Sequence, residues 1–133
     1  MTSQTPVALH RIVVVEDDVS LRKMVVKHLE KVGYAITSFD NGEAALDHID
    51  KNDAAPALVC LDLALPAMSG FRVCEALRSQ QKTRHVPVII LTARTTVQDH
   101  TFALEVGADA FLEKPFKLKA LEEEIARLIK GTR

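Results

Sequence analysis

The sequence predicts one doubly wound α/β domain, a parallel five-stranded sheet with helices on both faces. Two observations carry that expectation. Short β-branched runs alternate five times with stretches whose apolar residues recur at helical spacing. The strand runs are apolar at successive positions, which suits strands covered on both faces rather than a sheet with one face in water. A chain of 133 residues has room for one domain. Surface scaling lets it bury about two-thirds of its extended surface, so its core needs no staples.

Residues 1–10 are polar and aperiodic and are read as a loose tail. Ile12-Val13-Val14-Val15 follows as a strand ending abruptly in Glu16-Asp17-Asp18. Leu21, Met24, Val25, Leu29 and Val32 then form one helical stripe, closed by Gly33 where a helix ends in the left-handed conformation. The alternation recurs as a strand over 35–39, a helix carrying Leu46 and Ile49 after Asn41-Gly42, and a strand over 57–61 ending at Asp62. Ser69 is the expected N-cap of a helix with Phe71, Cys74 and Leu77 inward. The strand expected over 86–91 ends at Thr92, and its Pro87 lies near the start, where sheets tolerate proline. A weakly amphipathic helix over 97–106 closes on Gly107, and a strand over 110–113 leads into Lys114-Pro115. Leu118, Leu121, Ile125, Leu128 and Ile129 make the clearest stripe, on the final helix. Right-handed crossovers between such units give a flavodoxin-like (βα)5 domain over 11–130 with strand order 2-1-3-4-5, followed by a short tail at 131–133.

Composition narrows the function classes. Hydrophobic residues are 47% and charged residues 26%, which excludes disordered and fibrous chains. Seventeen Lys and Arg against eighteen Asp and Glu leave no basic field for nucleic acid or anionic lipid. Cys60 and Cys74 sit in apolar runs without metal-ligand spacing and read as buried free thiols. No apolar stretch approaches the ~18 residues of a membrane span, and Val7-Ala8-Leu9 is too short for a signal peptide; a cytoplasmic protein is expected.

In doubly wound sheets the site lies beyond the carboxyl ends of the strands. Here those ends carry Glu16-Asp17-Asp18, Asp62, Thr92 and Lys114, which therefore share one crevice. At ~5 Å and an effective dielectric of ~20, each carboxylate pair there repels by roughly 3 kcal/mol. Lys114 offsets part of this, and a hard divalent cation would offset the rest. Oxygen donors with water completing an octahedron suit Mg²⁺ better than Zn²⁺, with Asp17 and Asp62 as candidate ligands. A carboxylate beside a cation, an ammonium and a hydroxyl is also what in-line phosphoryl transfer requires: Asp62 as nucleophile, Lys114 and Thr92 on the phosphoryl oxygens. Each residue alone has a plainer role. Asp18 and Thr92 suit helix caps, Glu16 and Asp17 a helix first turn, Asp62 a loop, Lys114 the surface. The coincidence of four strand ends favours the functional reading.

Residues 11–130 resemble the receiver domains of bacterial two-component response regulators, of the chemotaxis-regulator type. The resemblance lies in Val14-Val15-Glu16-Asp17-Asp18, Asp62-Leu63-Ala64-Leu65-Pro66-Ala67-Met68-Ser69-Gly70, Leu91-Thr92-Ala93-Arg94, and Gly107-Ala108-Asp109 leading into Phe111-Leu112-Glu113-Lys114-Pro115-Phe116. It implies that Glu16 and Asp17 help bind Mg²⁺, with Asp18 outside the pair; Asp62 is the phosphoacceptor and the Ala64 backbone carbonyl a further ligand. It implies that Thr92 and Lys114 clasp the phosphoryl group and that the Lys114-Pro115 bond is cis, against a background of ~5%. It also implies a switch: the Thr92 hydroxyl moves toward the new oxyanion, Phe111 turns into the vacated space, and the surface of helix four, strand five and helix five changes partner. Ala64 and Arg94 stand where the family modulates phosphoryl lifetime. The implied partners are a sensor histidine kinase or phosphotransfer protein as donor, and an output protein or attached effector domain. No nucleic acid or membrane contact is expected of this chain, and no turnover enzyme. Ala110 and Glu124 depart from the residues usual in receivers joined to winged-helix domains, which argues against that dimer interface.

Three other readings compete. A flavodoxin-type flavin protein needs a hydroxyl-rich loop where Glu16-Asp17-Asp18 would repel phosphate. An aspartyl phosphatase places a general acid where Ala64 stands. A degenerate receiver would act as a scaffold without phosphorylation.

Overall fold

The computed structural model describes residues 10–93 and 97–131. Ten elements alternate along the chain: β1 Arg11–Val15, α1 Val19–Val32, β2 Ala35–Phe39, α2 Gly42–Lys51, β3 Leu58–Asp62, α3 Gly70–Ser79, β4 Val88–Thr92, α4 Val97–Glu105, β5 Ala110–Glu113 and α5 Leu118–Lys130. The strands form one sheet in the order β2-β1-β3-β4-β5, every pair parallel, as the sequence predicts.

Strand periodicity splits the core in two. Val13, Val15, Val59, Leu61, Val88 and Ile90 face α2, α3 and α4, meeting Ala45, Ile49, Phe71, Val73, Leu77 and Ala103. Their chain neighbours Ile12, Val14, Leu58, Cys60, Ile89 and Leu91 face α1 and α5, meeting Val25, Leu29, Leu121 and Ile125. Successive residues of a strand point to opposite faces, so continuous apolar runs are what a sheet covered twice demands.

Local signals set the boundaries. Asp18, Asn41 and Ser69 each cap a helix, accepting from the backbone N–H of Leu21, Ala44 and Arg72 respectively. Gly33 ends α1 at φ 123°, and its N–H donates to the carbonyls of Leu29 and Glu30. β4 starts at Val88, later than expected, because Pro87 has no N–H for the ladder, although its carbonyl accepts from Val59. The α1 stripe is narrower than expected. Val25 and Leu29 are buried and Leu21 is partly so, whereas Met24 and Val32 are exposed, because the sheet and α5 cover a single line of that helix. In α5, Leu121 and Ile125 are fully buried, with Leu118, Leu128 and Ile129 partly covered around them. Cys60 and Cys74 are free and buried, and burial pushes their thiols up to about 12 and about 11.

Candidate functional site

The carboxyl ends of β1, β3, β4 and β5 open into a cleft of about 440 Å³ lined by Glu16, Asp17, Asp18, Asp62, Ala64, Thr92, Ala93 and Lys114. Sheet register brings them there. Asp62 pairs with Leu91, and Thr92 with Glu113, so three strands end within one residue of one another. Lys114 follows directly, its backbone N–H donating to the Thr92 carbonyl at 2.9 Å.

Lys114 organises the charges. Its Nζ donates to Asp62 Oδ2 at 2.7 Å and lies 2.9 Å from Glu16 Oε1. Asp62 Oδ1 accepts from the Ala64 N–H at 3.0 Å, and Glu16 Oε2 accepts from the Asp18 N–H at 3.1 Å. The approach of Lys114 to Glu16 Oε1 is close but not directed as a hydrogen bond, leaving that buried oxygen with a charge partner and no aligned donor. Burial, reinforced by Asp62, holds the Glu16 carboxyl above its ordinary value against the opposing pull of Lys114 and the Asp18 N–H. For Lys114, burial acts downward, but the bond to Asp62 and the close carboxylate charge of Glu16 together outweigh it and raise its value.

Glu16, Asp17 and Asp62 each offer a carboxylate oxygen, and these lie within 4.8 Å of one another. Three carboxylates against one ammonium leave two uncompensated negative charges. A divalent cation matches that deficit, the oxygen donors suit a hard ion, and Glu16 Oε1 has a coordination valence to give. The residues fit Mg²⁺.

The structure thus brings together Glu16, Asp17, Asp18, Asp62, Thr92 and Lys114, expected from the sequence to share one crevice, and Ala64, which the resemblance adds. Asp18 is the α1 cap, with its side chain turned to the Leu21 N–H at 2.9 Å. The Lys114-Pro115 bond is cis. Phe111 is partly buried beside the core under α2, α3 and α4, one strand away from Ile90. Arg94 lies outside the described residues. Sequence reasoning missed two supports. Arg22 Nη1 donates to the Glu16 carbonyl at 2.7 Å. Gly70 packs against the backbone of Asp62, where a Cβ would stand 2.2 Å from the Asp62 carbonyl oxygen. A glycine in the first turn of a helix, where it weakens the helix, was the available signal for the second. The first carried none.

Among the described residues no helix is long and apolar enough to cross a membrane. Residues 12–126 match the family model of the response regulator receiver domain. Over 118 residues the chain is 40% identical to "Response regulator MprA" of Mycobacterium sp. (strain KMS), covering 89% of this chain and 48% of that protein. It is 38% identical over 120 residues to "Probable transcriptional regulator ycf27" of Porphyridium aerugineum, covering 90% and 48%. The chain therefore spans about half the length of the curated relatives it matches. Among solved structures, chemotaxis response regulator CheY4 of Vibrio cholerae superposes with a TM-score of 0.84 at 28% identity, over 91% of this chain and 99% of that one. The receiver domain of sensor histidine kinase PA1611 from Pseudomonas aeruginosa PAO1, solved with magnesium ion coordinated in the active site cleft, gives a TM-score of 0.84 at 28% identity, over 93% and 100%. A family match over most of the sequence agrees with solved structures that superpose on about nine-tenths of it, and the chain belongs to the response regulator receiver domain family.

Proposed function

We propose that this chain, with residues 11–130 as the working unit between tails at 1–10 and 131–133, is the phosphoacceptor module of a two-component phosphorelay. One observation carries the reading: Lys114 spans Asp62 and Glu16 at the mouth of a three-carboxylate cleft whose floor includes Thr92. Asp62 is the nucleophile. Its carboxylate needs no base at neutral pH, because the ionised form already holds the attacking electron pair. One of its oxygens forms the new P–O bond as the P–N bond of a donor phosphohistidine breaks, and the imidazole leaves with a proton. Lys114 and the Thr92 hydroxyl hold phosphoryl oxygens.

Glu16, Asp17, Asp62 and the Ala64 carbonyl would hold Mg²⁺, which supplies charge neutralisation for the incoming phosphoryl group; the Pseudomonas receiver, with its magnesium ion, supports that choice. The donor is a histidine kinase or a phosphotransfer protein. After transfer Thr92 and Phe111 shift together, and α4, β5 and α5 present a changed surface to an output protein or attached effector domain. Ala64 and Arg94 set how long the phosphoryl group survives. The module is consumed and reset rather than turning over a substrate, and it works in the cytoplasm. The expectation of no direct nucleic-acid contact is confined to these residues, since relatives about twice as long are named transcriptional regulators.

Incubation with acetyl phosphate and Mg²⁺ should add one acid-labile phosphoryl group, read by intact mass. Asp62→Asn, or removal of the cation with a chelator, should prevent it. A label that persists in Asp62→Asn refutes the assignment.

A further inference from the structure

The acidic loop after β1 is held from behind. Glu16 is pinned at its backbone N–H, which donates to the Phe39 carbonyl at 3.0 Å, and at its carbonyl, which accepts from Arg22 Nη1 at 2.7 Å. Its side chain is tied forward to the Asp18 N–H, and Asp18 is fixed as the α1 cap, its carbonyl taking the Arg22 N–H at 2.9 Å. Asp17 is exposed between these anchors and is joined to Glu16 by the peptide whose carbonyl Arg22 holds. Arg22 is not among the residues lining the carboxylate cleft. It lines a shallow groove with Lys23, Val26, Lys27, Glu30 and Ser38 on the β2 side of α1.

We propose that Arg22 is a positioning residue for the cation cleft: its guanidinium clamps the Glu16 carbonyl and thereby aims the Asp17 carboxylate at the point where it meets Glu16 and Asp62. The inference rests on the cation reading above. Two effects of Arg22 act in opposite directions, which makes the assignment decidable. As a positive charge near an acidic site it disfavours a second cation, so its removal should tighten Mg²⁺ binding if charge were all that mattered. As a clamp it pre-orders the ligands, and groups that orient metal ligands from outside the coordination shell commonly matter about tenfold or more in affinity. The hydrogen bond is short and partly buried, whereas long-range repulsion is screened by salt and by the solvent around α1. The clamp should win.

The test is Mg²⁺ titration of the full chain, unphosphorylated, followed by calorimetry and by the amide resonances of Asp17 and Asp18. Arg22→Met keeps the apolar stem of the side chain and removes both the donor and the charge. Arg22→Lys keeps the charge. Lys23→Met removes one charge from the next position, where no bond to the loop exists among the described residues. Arg22→Met should weaken Mg²⁺ about tenfold and shift both amides before any Mg²⁺ is added, Arg22→Lys should lie between it and the wild type, and Lys23→Met should leave binding equal or slightly tighter. Arg22→Met binding Mg²⁺ as tightly as the wild type, or Lys23→Met losing as much as Arg22→Met, overturns the clamp while leaving the cation reading intact. A wild type that takes up no Mg²⁺ overturns both. If Arg22→Met fails to fold, Arg22→Lys decides: unchanged affinity and unchanged amides refute the proposal.

Discussion

Replacing Gly70 by alanine should damage both stability and chemistry, and the size of each effect follows from one contact. A Cβ on Gly70 would lie 2.2 Å from the Asp62 carbonyl oxygen, 2.9 Å from its carbonyl carbon and 2.9 Å from Leu61 Cδ1. An ordinary carbon-to-oxygen contact is ~3.3 Å or more, so the first turn of α3 and the end of β3 must part by about 1 Å. Asp62 is one side of that pair. It is the last residue of β3, one strand from β1 and one from β4, and the Gly70 N–H already bonds the Leu63 carbonyl at 3.0 Å. Overpacking of this kind costs about 1–3 kcal/mol, against which alanine returns up to ~1 kcal/mol of helix preference. The net loss of about 1–2 kcal/mol lowers the melting temperature by roughly 4–8 °C in a domain of this size. If β3 yields, Asp62 moves relative to Lys114, and a ~1 Å displacement costs about a hundredfold in rate. Calorimetry measures the first effect, and the rate of phosphoryl uptake from acetyl phosphate with Mg²⁺ measures the second. A variant with wild-type melting and wild-type rate refutes the packing argument. One that melts early but reacts normally shows that α3, not β3, gives way.

Other expectations follow from the charges and the thiols. Lys114→Met should destabilise the chain by about 2–4 kcal/mol at about pH 8 without divalent cation, a little under the ~3–5 kcal/mol for breaking a fully buried pair because Lys114 is 20% exposed, since Glu16 and Asp62 lose their counter-charge. Glu16 has a raised carboxyl value in the fold, so folding favours its protonated form more than the unfolded chain does: the stability it contributes is greatest below its unfolded value and is lost as pH rises through the folded one. Lys114 lowers that value, so the variant's deficit should shrink toward about pH 5 and on adding Mg²⁺; urea melts that show a deficit independent of both contradict this account. Cys60 and Cys74, with thiols at about 12 and about 11, should resist a thiol reagent in the native state and both react once the chain is unfolded. Rapid native labelling of either would show that the core opens far below the cost of global unfolding.

Much of this protein was legible along the chain. Runs such as Val13 to Val15 and Val88 to Leu91 are apolar at every position, which only a sheet covered on both faces accommodates, and polar residues at the ends of those runs name the edge where a site must lie. Asp18, Asn41 and Ser69 advertise helix starts because capping is a contact three residues long. Local chemistry of that range needs no knowledge of the rest of the fold. What the tertiary structure decided is everything that spans elements. Met24 and Val32 sit on the predicted stripe yet face solvent, since periodicity identifies an apolar face but not how much of it the neighbours cover. Arg22 reaching the Glu16 carbonyl, Gly70 resting on Asp62, and Lys114 bonding a carboxylate 52 positions away leave no periodic trace, because such contacts depend on where the crossovers return the chain. The sequence determined which groups end at the sheet's edge, and packing determined the distances between them.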